Sequence, residues 1–491
     1  MGRKRKSSRM QVHDGVSQGR KGAIHSSPHL PEEIWHHIHS LLPMREAARA
    51  ASVSHAFQYS WKCHPNLTFT YETVCTKEIV RRWKKDSDDP RYRGKYNKTV
   101  DYILKNHGRA GVKTFKLVFY GPYTTKSYGR LNSWLQIAVT PGIGELDLTL
   151  GSEKAKFNFP CTHLSGTGGD SLRYLRLENC GLRPTPGICL KSLTRLHLRG
   201  VRITGDELRC LLSNSFALEK MSLVYCNDII RLEIPCQLQR LSSLDVQACS
   251  GLQVIENKAP NISTFNFGGH QARLSLGELL KVKKMKVDNS RAIRYAIENL
   301  PSSVPNVETL AIYSGSEIGS APVVSSKFLH LKLLTLHIFG WHFHRDYDYL
   351  SLFSFLDASP LLVTFQIIVS RQSEFEKFEG DPSSLRRMPK HFHGNLKRVL
   401  IVGFSRQKSM IELACHILEN STSLKWLTLD TCPNNNIRCS ENLMRKCFPL
   451  GSAIIREAHE TVLAVRTHVE GKVPSTVKFN VLGPCSQCHA F

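Results

Sequence analysis

Residues 485–489 read Cys485-Ser486-Gln487-Cys488-His489. Two thiols at this spacing followed by His are the pattern of covalent haem attachment, and also of part of a tetrahedral zinc site. Haem attachment goes with an export signal and a haem pocket, and neither is legible here. No second Cys-x-x-Cys supplies the remaining zinc ligands. A terminal thiol pair without a metal is the reading left. His36, His37 and His39 are the other cluster with metal-ligand chemistry. His36 and His39 share a helical face away from the apolar stripe, where solvated polar residues are expected. The strings GxxxxGK[ST], GxSxG and HExxH are absent, and Gly166–Gly169 is expected to be a short loop between repeats. No pair of carboxylates stands out for acid–base work. No catalytic residues, metal or cofactor are expected.

The elements that carry these residues follow from composition and pattern. The chain has 491 residues, 41% hydrophobic and 22% charged, normal for a folded protein. It holds no run of 18 apolar residues, so no membrane span is expected. The basic N-terminus has no apolar core behind it, unlike a secretory signal. Fifteen scattered cysteines read as reduced thiols of a cytosolic or nuclear protein. The formal charge of +25 attracts anions: nucleic acid, an acidic protein, or only water. Part of it is local, with twelve basic against five acidic residues in 77–113.

Residues 1–27 lack apolar periodicity and are expected to be a disordered basic tail. Lys4, Arg5 and Lys6 within it fit either a nuclear import signal or a solvated tail, so nucleus and cytoplasm are both expected locations. Residues 28–66 read as a small helical module. Pro31 suits a first helical position and Glu32 and Glu33 the first turn. Ile34, Ile38, Leu41 and Leu42 form one apolar stripe. Pro43 ends that helix, and Ala47 to Phe57 make a second one rich in small residues. The module is too short for a core of its own and depends on a partner or on the next domain. Residues 67–111 read as a linker, with an exposed loop at 88–98 and a short helix at 100–107.

From residue 112, apolar residues recur at i, i+3 and i+5. Thirteen such triplets run from Val112/Phe115/Leu117 to Leu424/Leu427/Leu429, spaced 20 to 25 residues apart centrally and up to 34 outside. Segments 172–180 and 424–432 read LxxLxLxxC in full, and Cys226 and Cys249 occupy the same place in two others. This is leucine-rich-repeat spacing. Each unit makes a short strand with two inward apolar residues, and only stacking buries them. The expected fold is α/β: an all-α module, then an irregular solenoid with a curved parallel sheet over 112–432, then a cap of helix plus strand over 433–491.

The phrase LPEEIWHHIHSLLPMREAARAASVSHAF in this setting resembles an F-box. The whole chain resembles a plant F-box/leucine-rich-repeat protein, and LACHILENSTSLKWLTLDTC resembles the FBD region of that family. The resemblance implies docking on a Skp adaptor through Leu30, Pro31, Ile34, Ile38, Leu42, Pro43 and Val53, and through it membership of a cullin–RING ubiquitin ligase. His55, Phe57 and Ala47 depart from the usual F-box residues. The repeats would then recruit a protein substrate for ubiquitination. The concave positions flanking the i+3 residue are the candidate substrate contacts: Tyr174, Arg176, Arg195, His197, Lys220, Lys284, Lys286, Arg398 and Trp426. Their basic character suits an acidic or phosphorylated partner, or is simply a solvated sheet face. A repeat scaffold without ligase function and a basic nucleic-acid binder are the competing expectations, and no membrane partner is expected.

Overall fold

The computed structural model describes residues 31–485, apart from 54, 87–88, 109–110, 122, 152–155, 166, 186–187, 189, 270–272, 276–280, 318, 322–325, 340–346, 371–377, 379, 390 and 434–449. Lys4, Arg5, Lys6, Leu30, Cys488 and His489 therefore lie outside the described residues. Among those described, no helix is long and apolar enough to cross a membrane.

Fifteen strands form one parallel sheet in chain order, from Asn66–Phe69 to Lys478–Leu482. All thirteen triplets place their i+3 and i+5 residues in these strands, pointing into the core. Phe115 pairs in register with Leu146, Leu146 with Leu175, and so on to Leu427. One contiguous hydrophobic core runs from Met44 to Val469. The opposite wall is made of helices, loops and a small parallel sheet of Arg231–Ile234, Val254–Asn257 and Arg273–Ser275.

The sheet passes both expected edges of the solenoid. Its first strand runs from the last residue of the helical-module segment into the segment read as linker, and its last is the strand expected in the cap, here joined to the sheet. Register explains why the triplet pattern missed them. His64 stands where the next repeat has Val112, and Thr476 where the preceding one has Leu424. Each terminal rung has a polar residue at its first position: His64 is buried against the helical module, and Thr476 is exposed where the sheet ends.

The loop expected at 88–98 is helical instead. α6 spans Pro90–Asn106, following α4 (Tyr71–Val74) and α5 (Lys77–Lys85). Asp89 caps it by accepting from the Arg91 amide at 2.8 Å, and Pro90 sits in the first turn, so the proline starts the helix rather than breaking it. Tyr96, Val100 and Leu104, spaced by four, bury its inner face. The N-terminal module also has three helices rather than two: α1 (Glu32–Leu41), α2 (Met44–Val53) and α3 (His55–Lys62). Thr167–Asp170 forms one helical turn where a loop was expected.

Each repeat turns away from the sheet just past its strand. Cys180, Cys226, Cys249 and Cys432 are buried at this bend. The Cys226 thiol donates to the Leu198 carbonyl at 3.5 Å and that of Cys249 to the Leu223 carbonyl at 3.8 Å, tying each bend to the preceding rung. Burial pushes the Cys180 thiol up to about 12, which keeps it protonated. Cys63, Cys75, Cys161, Cys180, Cys210, Cys226, Cys236, Cys249 and Cys415 are free thiols.

At the same bend Gly403 has φ +72, and a Cβ there would collide with the Val369 carbonyl oxygen. Gly403→Ala is expected to cost more than about 1 kcal/mol. Gly94→Ala, in open space on α6, is expected to stabilise by up to about 1 kcal/mol. Shifts of the urea midpoint in opposite directions are the readout.

Candidate functional site: a helical docking face and a concave repeat face

The helical module is fastened to the first rung by polar contacts. The Arg45 guanidinium donates to the Glu72 and Cys75 carbonyls, both at 2.9 Å. His64 accepts from the Asn66 amide at 3.2 Å on one ring nitrogen and lies 3.2 Å from the Leu42 carbonyl on the other. Burial lowers the His64 pKa, favouring the neutral ring that can accept and donate at once. His39, expected in solvent, is fully buried. It lies 2.9 Å from the Ala47 carbonyl and stacks on Phe57 at 5.1 Å. It is the hinge pin between α1 and α2, and its polar type hid that role in the apolar pattern. Ala47, which departs from the usual F-box residue, is also fully buried in this packing.

With His39 turned inward, the apolar stripe of α1 faces out. Ile34 is 43% exposed, Ile38 37%, Leu41 71% and Val53 85%. Pro31 and Pro43 are exposed and Leu42 is half-buried. A cluster of this kind on a small module marks an interface, since no soluble surface gains from it.

The concave face is set by register. Tyr174 pairs with Arg195 and then Lys220 along one row, and Arg176 with His197 and Ser222 along the next. Lys284 and Lys286 lie in the central strands, and Arg398 pairs with Trp426 near the far end. All nine expected residues thus share this face, but they do not form one basic surface. Arg176 pairs with Glu178 at 3.1 Å and approaches Asp147 at 3.8 Å. Arg199 pairs with the same Glu178 at 3.2 Å. Arg195 lies 3.9 Å from Glu145 and over the Tyr174 ring. Lys286 pairs with Asp288 at 3.3 Å and covers Tyr313, which stacks on His337 at 4.0 Å. Arg398 lies over Trp426 at 4.5 Å. These partly exposed pairs contribute up to about 1 kcal/mol each and largely neutralise the face. Among the described residues, Lys220 and Lys284 have no ion-pair partner.

Sequence reasoning looked only beside the i+3 residue and missed the i+1 position. Lys113, Arg173, Lys283, Lys332, Lys397 and Lys425 occupy it, and all six are exposed. The signal was a basic residue directly after the first apolar residue of a triplet. Among the described residues no group of three His, Cys, Asp or Glu is placed to hold a metal.

The family model for the At1g61320/AtMIF1 LRR domain matches residues 103–486. The chain belongs to that LRR family. This LRR chain is also 22% identical over 453 residues to the F-box/FBD/LRR-repeat protein At1g78750 of Arabidopsis thaliana, covering 85% of this chain and 92% of the relative. The putative F-box/FBD/LRR-repeat protein At4g03220 of the same plant is 24% identical, covering 85% and 90%. F-box/LRR-repeat protein 25 is 25% identical over 48% of this chain and 83% of its own length. The F-box and repeat resemblance read from the sequence is therefore shown across most of the LRR chain.

His197 and His337 on the concave face are both held below the ordinary 6.5, first by burial and then by the cations Arg176 and Lys286. A lowered folded pKa means the unfolded chain binds more protons, so stability is present above about 6.5 and lost as pH falls through the folded values. Imidazole NMR titration is expected to give both midpoints below 6.5, and the unfolding midpoint is expected to fall between pH 7 and pH 5.

Proposed function

We propose that this chain is the substrate-recognition subunit of an SCF-type cullin–RING ubiquitin ligase. The observation that carries this reading is the outward-facing set of Ile34, Ile38, Leu41 and Val53 on α1 and α2, apolar side chains that no packing within the module covers. The printed names of the relatives, F-box/LRR-repeat, give the same direction. On this reading a Skp adaptor covers the cluster, with Pro31, Leu42 and Pro43 at its edges. The repeats present the concave face to a protein substrate. The chain performs no bond chemistry. It raises the effective concentration of substrate lysines beside a charged carrier enzyme.

The junction makes the proposal testable, because the docking residues are exposed and removing them leaves the fold intact. Ile34→Asp/Ile38→Asp is expected to weaken co-purification with a Skp adaptor by more than about tenfold while the unfolding temperature stays unchanged. Failure of the unaltered chain to bind any Skp adaptor would sink the ligase reading and leave a repeat scaffold.

A further inference from the structure

The charge of the concave face is divided across its width. Take the seven strands from Lys284–Asn289 to Lys478–Leu482. The i+1 and i+2 positions form the rim where these strands begin. That rim carries Lys283, Lys284, Lys332, Lys397, Arg398, Lys425 and Lys478 against one carboxylate, Glu308. The rim is rigid, because backbone bonds step along it: Glu308 to Lys283, Lys332 to Glu308, Lys397 to Val363 and Lys425 to Lys397, each at 2.8–2.9 Å. Glu308 sits between Lys283 at 3.3 Å and Lys332 at 2.9 Å, so it tethers two of the cations; Arg398 lies over Trp426, and Lys284, Lys397, Lys425 and Lys478 face solvent.

The inner rows of the same strands are different. Ala311, Thr335, Gln366, Leu400, Thr428 and Asn480 line the middle, with Lys286 as the one cation. Tyr313 and His337 lie half-buried beyond them, beside Asp288, while Ile368, Val402 and Asp430 of the same row are buried. Lys286 is already paired with Asp288. A strongly basic rim thus borders a floor of neutral and apolar side chains whose one cation is already paired.

We infer that this half of the solenoid docks an acidic, amphipathic protein segment, with its carboxylates on the rim and its apolar side chains over the floor. The inference rests on the reading above, in which the concave face receives a substrate, and it names that substrate's chemistry. Seven strands spaced about 4.8 Å apart give a track of about 29 Å, which about nine extended residues would span. A nucleic acid fits less well. Its phosphates recur on every unit and would meet a floor whose one cation, Lys286, is already paired with Asp288. A protein segment can carry charge on one side only, and complementarity of this kind selects partners.

The test uses the full chain and a fluorescein-labelled peptide of three Glu-Ala-Glu-Leu repeats, read by fluorescence anisotropy at about 0.1 M salt, where charges beyond about 10 Å are screened. The peptide is expected to bind more tightly than an oligothymidylate of equal charge. Lys284→Glu/Lys397→Glu/Lys425→Glu is expected to weaken it by about tenfold or more. Lys84→Glu/Lys85→Glu, on α5, is expected to leave it unchanged. The inference is overturned by no peptide binding, by equal loss in both variants, or by oligothymidylate binding as tightly as peptide. Skp-adaptor co-purification of the rim variant separates the two proposals. Docking kept with peptide binding absent removes only the rim, whereas docking absent in the unaltered chain removes the ligase reading.

Discussion

A single turn of this solenoid cannot bury its own apolar face. Leu175 and Leu177 leave water only because Leu146 and Leu148 lie on one side and Leu196 and Leu198 on the other. The backbone groups of each strand are satisfied in the same way, by the rungs before and after. Every other property of the molecule depends on this neighbour-to-neighbour closure. It keeps the sheet continuous through irregular repeat lengths, because the loops absorb extra residues while the strands hold register. It also makes the ends special, since the first and last rungs have one neighbour each. The first rung finds its second neighbour in the helical module, and the last leaves Phe479 and Val481 half-buried.

The same register that stacks leucines stacks charges. In the N-terminal half, cations and carboxylates alternate between adjacent rungs, so Glu178 serves Arg176 and Arg199 together. In the C-terminal half the carboxylates withdraw from the strand beginnings and the lysines remain. A large formal charge is thereby turned into a local pattern. Bulk charge alone could not distinguish a neutralised lattice of pairs from an open basic rim, because both contain the same residues.

The repeats were legible because their signal is redundant. Thirteen triplets in order leave little room for chance, and the buried cysteines at the bends added an independent position. The missing rungs were illegible for a physical reason: His64 and Thr476 are polar where the pattern demands an apolar residue. α6 was hidden by Pro90 and Gly94, which signal a turn until Asp89 is seen as a cap. His39 was misplaced because hydrophobic patterning treats every histidine as solvated, and its carbonyl partner is eight residues away. The apolar stripe of Ile34, Ile38 and Leu41 on α1 was legible from spacing, and the structure turns it outward. The pairing of Arg176, Arg195 and Lys286 was not, since their partners lie on neighbouring strands whose register no single segment reveals.

Arg45, Asn66 and His64 lock the helical module to the first rung, and Gly108 closes the joint from the other side by donating to the Lys62 carbonyl. A joint without a swivel turns repeat number into a length setting. Each rung carries the far end about 4.8 Å onward along the curve, so gaining or losing one repeat would move whatever the far rungs hold by a fixed step relative to whatever the helices hold. Reach in such a chain is inherited in whole units. Evolution could adjust it coarsely by duplication and finely only by bending the loops between rungs.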